Sequence, residues 1–148
     1  MNYLFDTNIL AFLCDENSYF HKEIYQRFST LKDSDRLYVS VLTLYEMEYS
    51  ILNGEPDHQT FFRATLKKIS DNFHVLPVPA KGAHPYGELK SFLRKTMGVS
   101  RENIKKYNID IILASTAKVE GCVLVSADTI FTVCRELWPD FQFQNWLV

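Results

Sequence analysis

Short apolar runs alternate with longer segments of helical spacing along this chain, and this alternation constrains the fold more than any other feature. The runs predict strands at about residues 3–5, 37–39, 74–76, 122–125 and 141–144. One or two helical segments separate each run from the next, which favours a parallel sheet with helices on both faces. The sequence therefore predicts an α/β protein, a three-layer α/β/α sandwich around a mainly parallel sheet of about five strands.

The segments between these runs predict seven helices. Their approximate bounds are residues 9–14, 20–32, 41–53, 57–70, 86–97, 108–119 and 128–137. In sheets of this kind, ligands bind beyond the carboxyl ends of the strands. Asp6 directly follows the first predicted strand and Asp128 closely follows the fourth, so right-handed crossovers would bring both acids to one rim.

Length and hydropathy narrow the class of protein further. A chain of 148 residues is most simply one domain, residues 1–148. No run of 18 or more apolar residues predicts a membrane span, and the N-terminus lacks a signal-peptide pattern, so we expect a cytoplasmic protein with no membrane partner. Cys14, Cys122 and Cys134 are too few and too widely spaced for a disulfide framework or a zinc site.

The net charge of −2 hides a strong asymmetry along the chain. Residues 1–62 hold 4 Lys/Arg and 10 Asp/Glu, residues 63–106 hold 10 and 3, and residues 107–148 hold 2 and 5. A basic surface beside an acidic pocket suits a polyanion that is cut with the help of a metal. Solvated outer faces of helices would give the same excess of Lys and Arg, and composition does not separate the two explanations.

Four acids are candidates for chemistry: Asp6, Glu46, Asp110 and Asp128. Clustered carboxylates repel one another and raise each other's pKa, so such a cluster makes sense when it holds a divalent cation. Asp6 and Asp128 also have a simpler explanation, because each could cap the helix that follows it. Asp110 lies in the first turn of a predicted helix, where the macrodipole favours an acid in any case.

Glu46 is more informative, because its helix is apolar on nearly every side. Only Thr43, Glu46, Ser50 and Asn53 interrupt the apolar residues, and they form one narrow stripe, with Glu48 about 200° away from Glu46 around the helix. Such a helix is expected to be largely buried. Its polar stripe would then face either solvent or a polar pocket beside Asp6.

Four short motifs resemble those of PIN-domain ribonucleases, especially the VapC-type toxins of bacterial toxin–antitoxin pairs. In chain order, the motifs are residues 5–10 (FDTNIL), 40–47 (SVLTLYEM), 110–117 (DIILASTA) and 124–131 (LVSADTIF). Each motif contributes one of the four acids, and Phe131 stands at the family's usual aromatic position. The chain departs from the family in placing Ile109 between Asn108 and Asp110, and in the stretch at residues 82–86; these departures bear on substrate choice and leave the four acids in place.

The resemblance implies a PIN-like fold and a metal-dependent endoribonuclease. Asp6, Glu46, Asp110 and Asp128 would hold one or two Mg²⁺ or Mn²⁺ ions, with Asp6 and Asp110 as the main direct ligands. Glu46 and Asp128 would act partly through water. Hard cations of this kind prefer carboxylate oxygens, and a water with a lowered pKa would attack the phosphodiester.

Six further residues receive expected roles. Asn8 and Ser126 are expected to orient the acids or a water, whereas Thr7 is expected to be a helix cap. Arg101, Lys105 and Lys106 precede Asp110 and are candidates for contacting the RNA backbone. The resemblance also implies a cognate antitoxin protein that would occlude the acidic pocket, and a homodimer.

Two other functions remain open from the sequence. The first is a PIN-like module that binds nucleic acid or protein without catalysis, although the presence of all four acids argues against it. The second is a phosphotransfer enzyme of the haloacid dehalogenase type, which also begins with a strand ending in Asp. That chemistry usually needs a second Asp two residues later, where this chain has Asn8.

Overall fold

The computed structural model describes residues 1–147, and its centre is a sheet of five parallel strands. The strands are β1 (Asn2–Phe5), β2 (Arg36–Ser40), β3 (His74–Leu76), β4 (Val123–Val125) and β5 (Phe143–Gln144). Their order across the sheet is β3-β2-β1-β4-β5, and all four pairings are parallel. The predicted α/β class and five-strand parallel sheet are confirmed.

Seven α-helices within residues 1–147 connect the strands. They are α1 (Thr7–Cys14), α2 (His21–Ser29), α3 (Val41–Leu52), α4 (Pro56–Asn72), α5 (Ala83–Lys95), α6 (Asn108–Glu120) and α7 (Ile130–Leu137). Short 3-10 helices precede α5 at Ala80–Gly82 and α6 at Asn103–Tyr107. Gly121 ends α6 in the left-handed conformation, with φ of 66°, which glycine adopts without a steric cost. None of the helices in residues 1–147 is long and apolar enough to cross a bilayer.

The strands divide the core into two halves, because alternate side chains point to opposite faces of the sheet. Tyr3 and Phe5 of β1 join the core formed with α1 to α4, whereas Leu4 joins the core formed with α5 to α7. In β4, Val123 and Leu124 divide between the two faces in the same way. Helices therefore cover both faces of the sheet, as the three-layer prediction requires.

One expectation about α3 is wrong. The helix buries a single face, formed by Thr43, Met47 and Ile51 at spacings of four residues. Tyr45 and Tyr49 are 71% and 70% exposed, so the helix is not largely buried despite its apolar composition. Composition alone does not distinguish a buried helix from one whose aromatic residues face outward.

Candidate active site

The carboxyl ends of β1, β2 and β4 lie side by side and deliver the polar residues of the site. Asp6 follows β1 directly, and its backbone N–H donates to the carbonyl of Val125 over 2.9 Å. This bond extends the pairing of β1 with β4 by one residue and places Asp6 beside Ser126. Ser40, at the end of β2, caps α3 and so directs the helix that carries Glu46.

Asp6, Ser126 and Asp128 form one hydrogen-bonded unit. The Ser126 hydroxyl donates to Asp6 Oδ2 over 2.7 Å and accepts from the backbone N–H of Asp128 over 3.0 Å. The other Asp6 oxygen accepts from the backbone N–H of Thr7 over 2.7 Å, which makes Asp6 the N-cap of α1. Asp128 Oδ1 accepts from the backbone N–H of Ile130 over 3.1 Å, so both acids combine local capping with a place at the rim.

Glu46 is connected to this unit through Thr7. The Thr7 hydroxyl lies 3.0 Å from Glu46 Oε1, to which it donates, and 3.1 Å from the hydroxyl of the buried Thr43. The expectation that Thr7 is a helix cap is wrong, because Asp6 caps α1 and Thr7 is its first helical residue. Thr7 orients the Glu46 carboxylate, with Thr43 beside the Thr7 hydroxyl, and no pattern in the sequence distinguished this contact from an ordinary cap.

Asp110 is coupled to all three other acids. Its pKa is raised to about 7, mostly by burial and further by the charges of Asp128, Asp6 and Glu46. The pKa of Asp6 is raised by burial and by Asp128, although its hydrogen bonds from Ser126 and Thr7 oppose the change. Burial and the charge of Asp6 also raise the pKa of Glu46, against the hydrogen bond from Thr7. The four acids thus form a single electrostatic cluster.

The donor set suits a hard divalent cation. It consists of carboxylate oxygens, which Mg²⁺ and Mn²⁺ prefer, and their mutual repulsion is the kind that a cation relieves. In the described part of the chain, no three acidic, histidine or cysteine side chains stand close enough together to hold a metal ion as they are. The fit therefore rests on the chemistry of the donors and on their electrostatic coupling.

The other predicted site residues form no hydrogen bond or ion pair with the four acids among the contacts of residues 1–147. Asn8 is exposed on α1, and no hydrogen bond joins its side chain to the acids within residues 1–147. Arg101, Lys105 and Lys106 are exposed in or just before the 3-10 helix that leads into α6. One network was missed altogether: Lys90 and Tyr86 of α5 contact Asn108 at the start of α6.

A sequence model of the PIN domain matches residues 3–136 of this chain. A comparison with curated proteins finds no significant match. Among solved structures, VapBC-1 from nontypeable Haemophilus influenzae is 25% identical, with a TM-score of 0.74 and 100% of each chain covered.

Two other solved structures have the same fold. FitAcB from Neisseria gonorrhoeae is 20% identical with a TM-score of 0.75, and the match covers 99% of this chain and 98% of that one. VapBC2 from Rickettsia felis, bound to a DNA fragment from its promoter, is 21% identical with a TM-score of 0.74 and 99% of each chain covered.

Proposed function

Because the chain belongs to the PIN domain family, we propose that it is a Mg²⁺- or Mn²⁺-dependent endoribonuclease and the toxin of a toxin–antitoxin pair. The observation that carries this proposal is a pair of hydrogen-bonded connections at the sheet rim, from Ser126 to Asp6 and Asp128 and from Thr7 to Glu46. Asp110 is near enough for the charges of these three acids to raise its pKa. The similarity to VapBC complexes supports a toxin, and the excess of basic residues in the middle of the chain supports a polyanionic substrate.

In the proposed mechanism, the four acids hold the cation at the rim of the sheet. When bound, such an ion makes water nucleophilic at neutral pH and stabilises the charge that develops on the phosphate. Ser126 orients Asp6, and the backbone N–H of Asp128 fixes the direction of the Ser126 hydroxyl. Thr7 orients Glu46 in the same manner. The carboxylates of Asp6, Glu46 and Asp128 are therefore held by hydrogen bonds before the ion binds. Ion binding then needs less ordering of these side chains.

Asp6 and Asp110 are the proposed direct ligands, with Glu46 and Asp128 acting partly through water. Asn8 is proposed to orient a water from its exposed place on α1. Arg101, Lys105 and Lys106 are proposed to contact RNA phosphates, since they are exposed and immediately precede α6. Such contacts hold the polymer without reading its sequence.

The proposed partners are a cognate antitoxin, which would cover the acidic site, and a second copy of the chain. Exposed apolar side chains on α3 and α4, two helices that contact each other, support a protein partner, because large exposed apolar patches often mark protein interaction sites. These side chains are Tyr45, Tyr49, Leu52, Phe61 and Phe62. The proposed location is the cytoplasm, where the RNA substrate is found.

The direct test is cleavage of a mixed cellular RNA pool by antitoxin-free protein, with Mg²⁺ or with EDTA. We expect cleavage that requires the metal and falls by at least about a hundredfold in Asp6→Asn, because the variant removes one charged ligand. Asparagine preserves the cap of α1, so the loss would not reflect unfolding. Equal cleavage by Asp6→Asn would contradict the proposed site, and no cleavage together with no Mg²⁺ binding would favour a binding module.

A further inference from the structure

Lys90, on α5, is held against the first residue of α6. Its Nζ donates to Asn108 Oδ1 over 2.9 Å and to the Tyr86 hydroxyl over 3.1 Å, and it lies 5.4 Å from the centre of the Tyr86 ring. The Tyr86 hydroxyl also donates to Asn108 Oδ1, over 3.3 Å. All three side chains are partly buried. This Lys90–Tyr86–Asn108 network is a closed set of contacts between the two helices.

Neutral groups hold the ammonium of Lys90. In residues 1–147 it forms no ion pair with a carboxylate, and its contacts are the oxygens of Asn108 and Tyr86 and the Tyr86 ring. These contacts direct the ammonium at Asn108 and so join α5 to the start of α6.

Within residues 1–147, the side-chain hydrogen bonds at the start of α6 are those to Asn108, whose backbone N–H also donates to the carbonyl of Lys105. The first four N–H groups of a helix have no partner within the helix, so its first turn depends on outside contacts for its position. Tyr107, at the N-cap position, makes no side-chain capping bond. Asn108 is the first residue of α6 and Asp110 lies two residues later, within the same turn. The hold of Lys90 on Asn108 therefore bears on where Asp110 is placed.

We propose that Lys90 is a positioning residue, which holds Asn108 and thereby fixes the turn of α6 that presents Asp110 to the other acids. This inference rests on the proposed function, in which Asp110 is a ligand of Mg²⁺. Lys90 acts through Asn108 and does not need to touch either the metal or the RNA.

The test is the affinity of the RNA-free protein for Mg²⁺, measured by calorimetry. Lys90→Met keeps most of the aliphatic stem and removes the ammonium, and we expect it to raise the Kd for Mg²⁺ by about tenfold, as the loss of an outer partner of a metal ligand does. Lys95→Met is the matched control, since Lys95 is an exposed lysine of the same helix, and its Kd should stay at the wild-type value. Lys90→Arg should retain most of the affinity, because a guanidinium can still donate to Asn108.

A double-mutant cycle separates this role from direct contact with RNA. Asn108→Ala should weaken Mg²⁺ binding as Lys90→Met does, and the double variant should be no weaker than the worse single variant, because both remove the same connection. Tyr86→Phe removes the two hydrogen bonds of the hydroxyl but leaves the bond from Lys90 to Asn108 and removes no charge, so it should give a smaller change in the same direction. It also keeps the test valid if Lys90→Met fails to fold.

Two results would overturn the inference while leaving the proposed function intact. The first is wild-type Mg²⁺ affinity in Lys90→Met with a raised KM for RNA and a weaker salt dependence, which would make Lys90 a phosphate contact. The second is no change in any of these quantities. Wild-type protein that neither binds Mg²⁺ nor cuts RNA would overturn the proposed function, and this inference with it.

Discussion

Of the four acids, Asp110 has the carboxyl whose charged form is most disfavoured by burial and by its acidic neighbours. Its carboxyl is partly buried and near three other acids, and its pKa rises from the ordinary 3.8 to about 7. An acid with a raised pKa in the folded state holds its proton longer than it does in the unfolded chain. Without metal, the folded protein should therefore lose stability as the pH rises from about 4 to about 7, and the loss should be complete above that range.

The substitution Asp110→Asn tests this at a single position. In EDTA at pH 8 we expect the variant to be more stable than the wild type by about 1 kcal/mol, after allowance for solvent screening, or about 2–4 °C in melting temperature. At pH 3.5 the difference should become small, because the wild-type carboxyl is then protonated in the folded state and mostly protonated in the unfolded state. Thermal unfolding followed by circular dichroism across this pH range is the measurement.

Asp57→Asn is the control for the position of Asp110 in a helix. Asp57 also lies in the first turn of a helix, α4, but it is exposed. Its substitution should cost a few tenths of a kcal/mol through the loss of a favourable interaction with the helix dipole. A destabilised Asp110→Asn at pH 8 would show that the repulsion among the acids is weaker than the structure indicates.

Individual residues differed in how far the sequence could predict their contacts. Asp6 and Ser126 could be predicted as neighbours because each directly follows a strand of a parallel sheet, and the structure joins them by a hydrogen bond of 2.7 Å. The contact of Thr7 with Glu46 spans 39 positions, and Thr7 looked like a cap. Lys90 was missed because nothing in the spacing of α5 distinguishes it from a solvated lysine.

At the scale of elements, α3 shows how one helix can serve several purposes. Its buried face packs on the core through Met47 and Ile51, Glu46 reaches the acidic cluster, and Tyr45 and Tyr49 remain exposed. The sequence predicted a largely buried helix because hydrophobicity does not reveal whether a partner protein or the core covers an aromatic residue. The end of α3 was predicted within one residue, since Asn53 and Gly54 follow it.

Two glutamates on α3 provide a matched pair of substitutions. Glu46→Gln should reduce RNA cleavage by at least about tenfold with little change in stability, because it removes a charge from the metal site while retaining an acceptor for Thr7. Glu48→Gln should leave cleavage unchanged, since Glu48 pairs with Arg63 of α4 instead, and should cost at most about 1 kcal/mol of unfolding free energy. Initial cleavage rates and urea unfolding measure both quantities. Equal rates for the two variants would remove Glu46 from the site.

The start of α5 was predicted three residues too late. The helix begins at Ala83, directly after a 3-10 turn, and Pro85 lies within its first turn. Proline is tolerated there because N–H groups of the first turn need no partner within the helix. A proline read as a helix breaker from the sequence can therefore belong to the beginning of a helix, and only the surrounding packing decides between the two.

At the scale of the whole molecule, the fold was the most predictable property. The alternation of strands and helices, together with right-handed crossovers, leaves few arrangements open, and all of them bring the carboxyl ends of the parallel strands to one edge. The order β3-β2-β1-β4-β5 places β1 at the centre, between β2 and β4. The site is built at the ends of these three strands because the topology brings them together, whereas its finer hydrogen bonds depend on side-chain packing that no sequence period encodes.

The distribution of charge over the chain supports a last prediction. Replacing Arg101, Lys105 and Lys106 with glutamine should weaken RNA binding and reduce the slope of log affinity against log salt by about 2, since each lost phosphate contact on a single strand removes about 0.7. Lys22, Lys32 and Arg36 are exposed bases of the acidic first part of the chain, and the same substitutions there should leave the slope unchanged. Binding is measured by fluorescence anisotropy with catalytically inactive Asp6→Asn protein at several salt concentrations. Equal slopes in the two triple variants would show that the basic surface before α6 does not hold the RNA and that its charges belong to a solvated helix face.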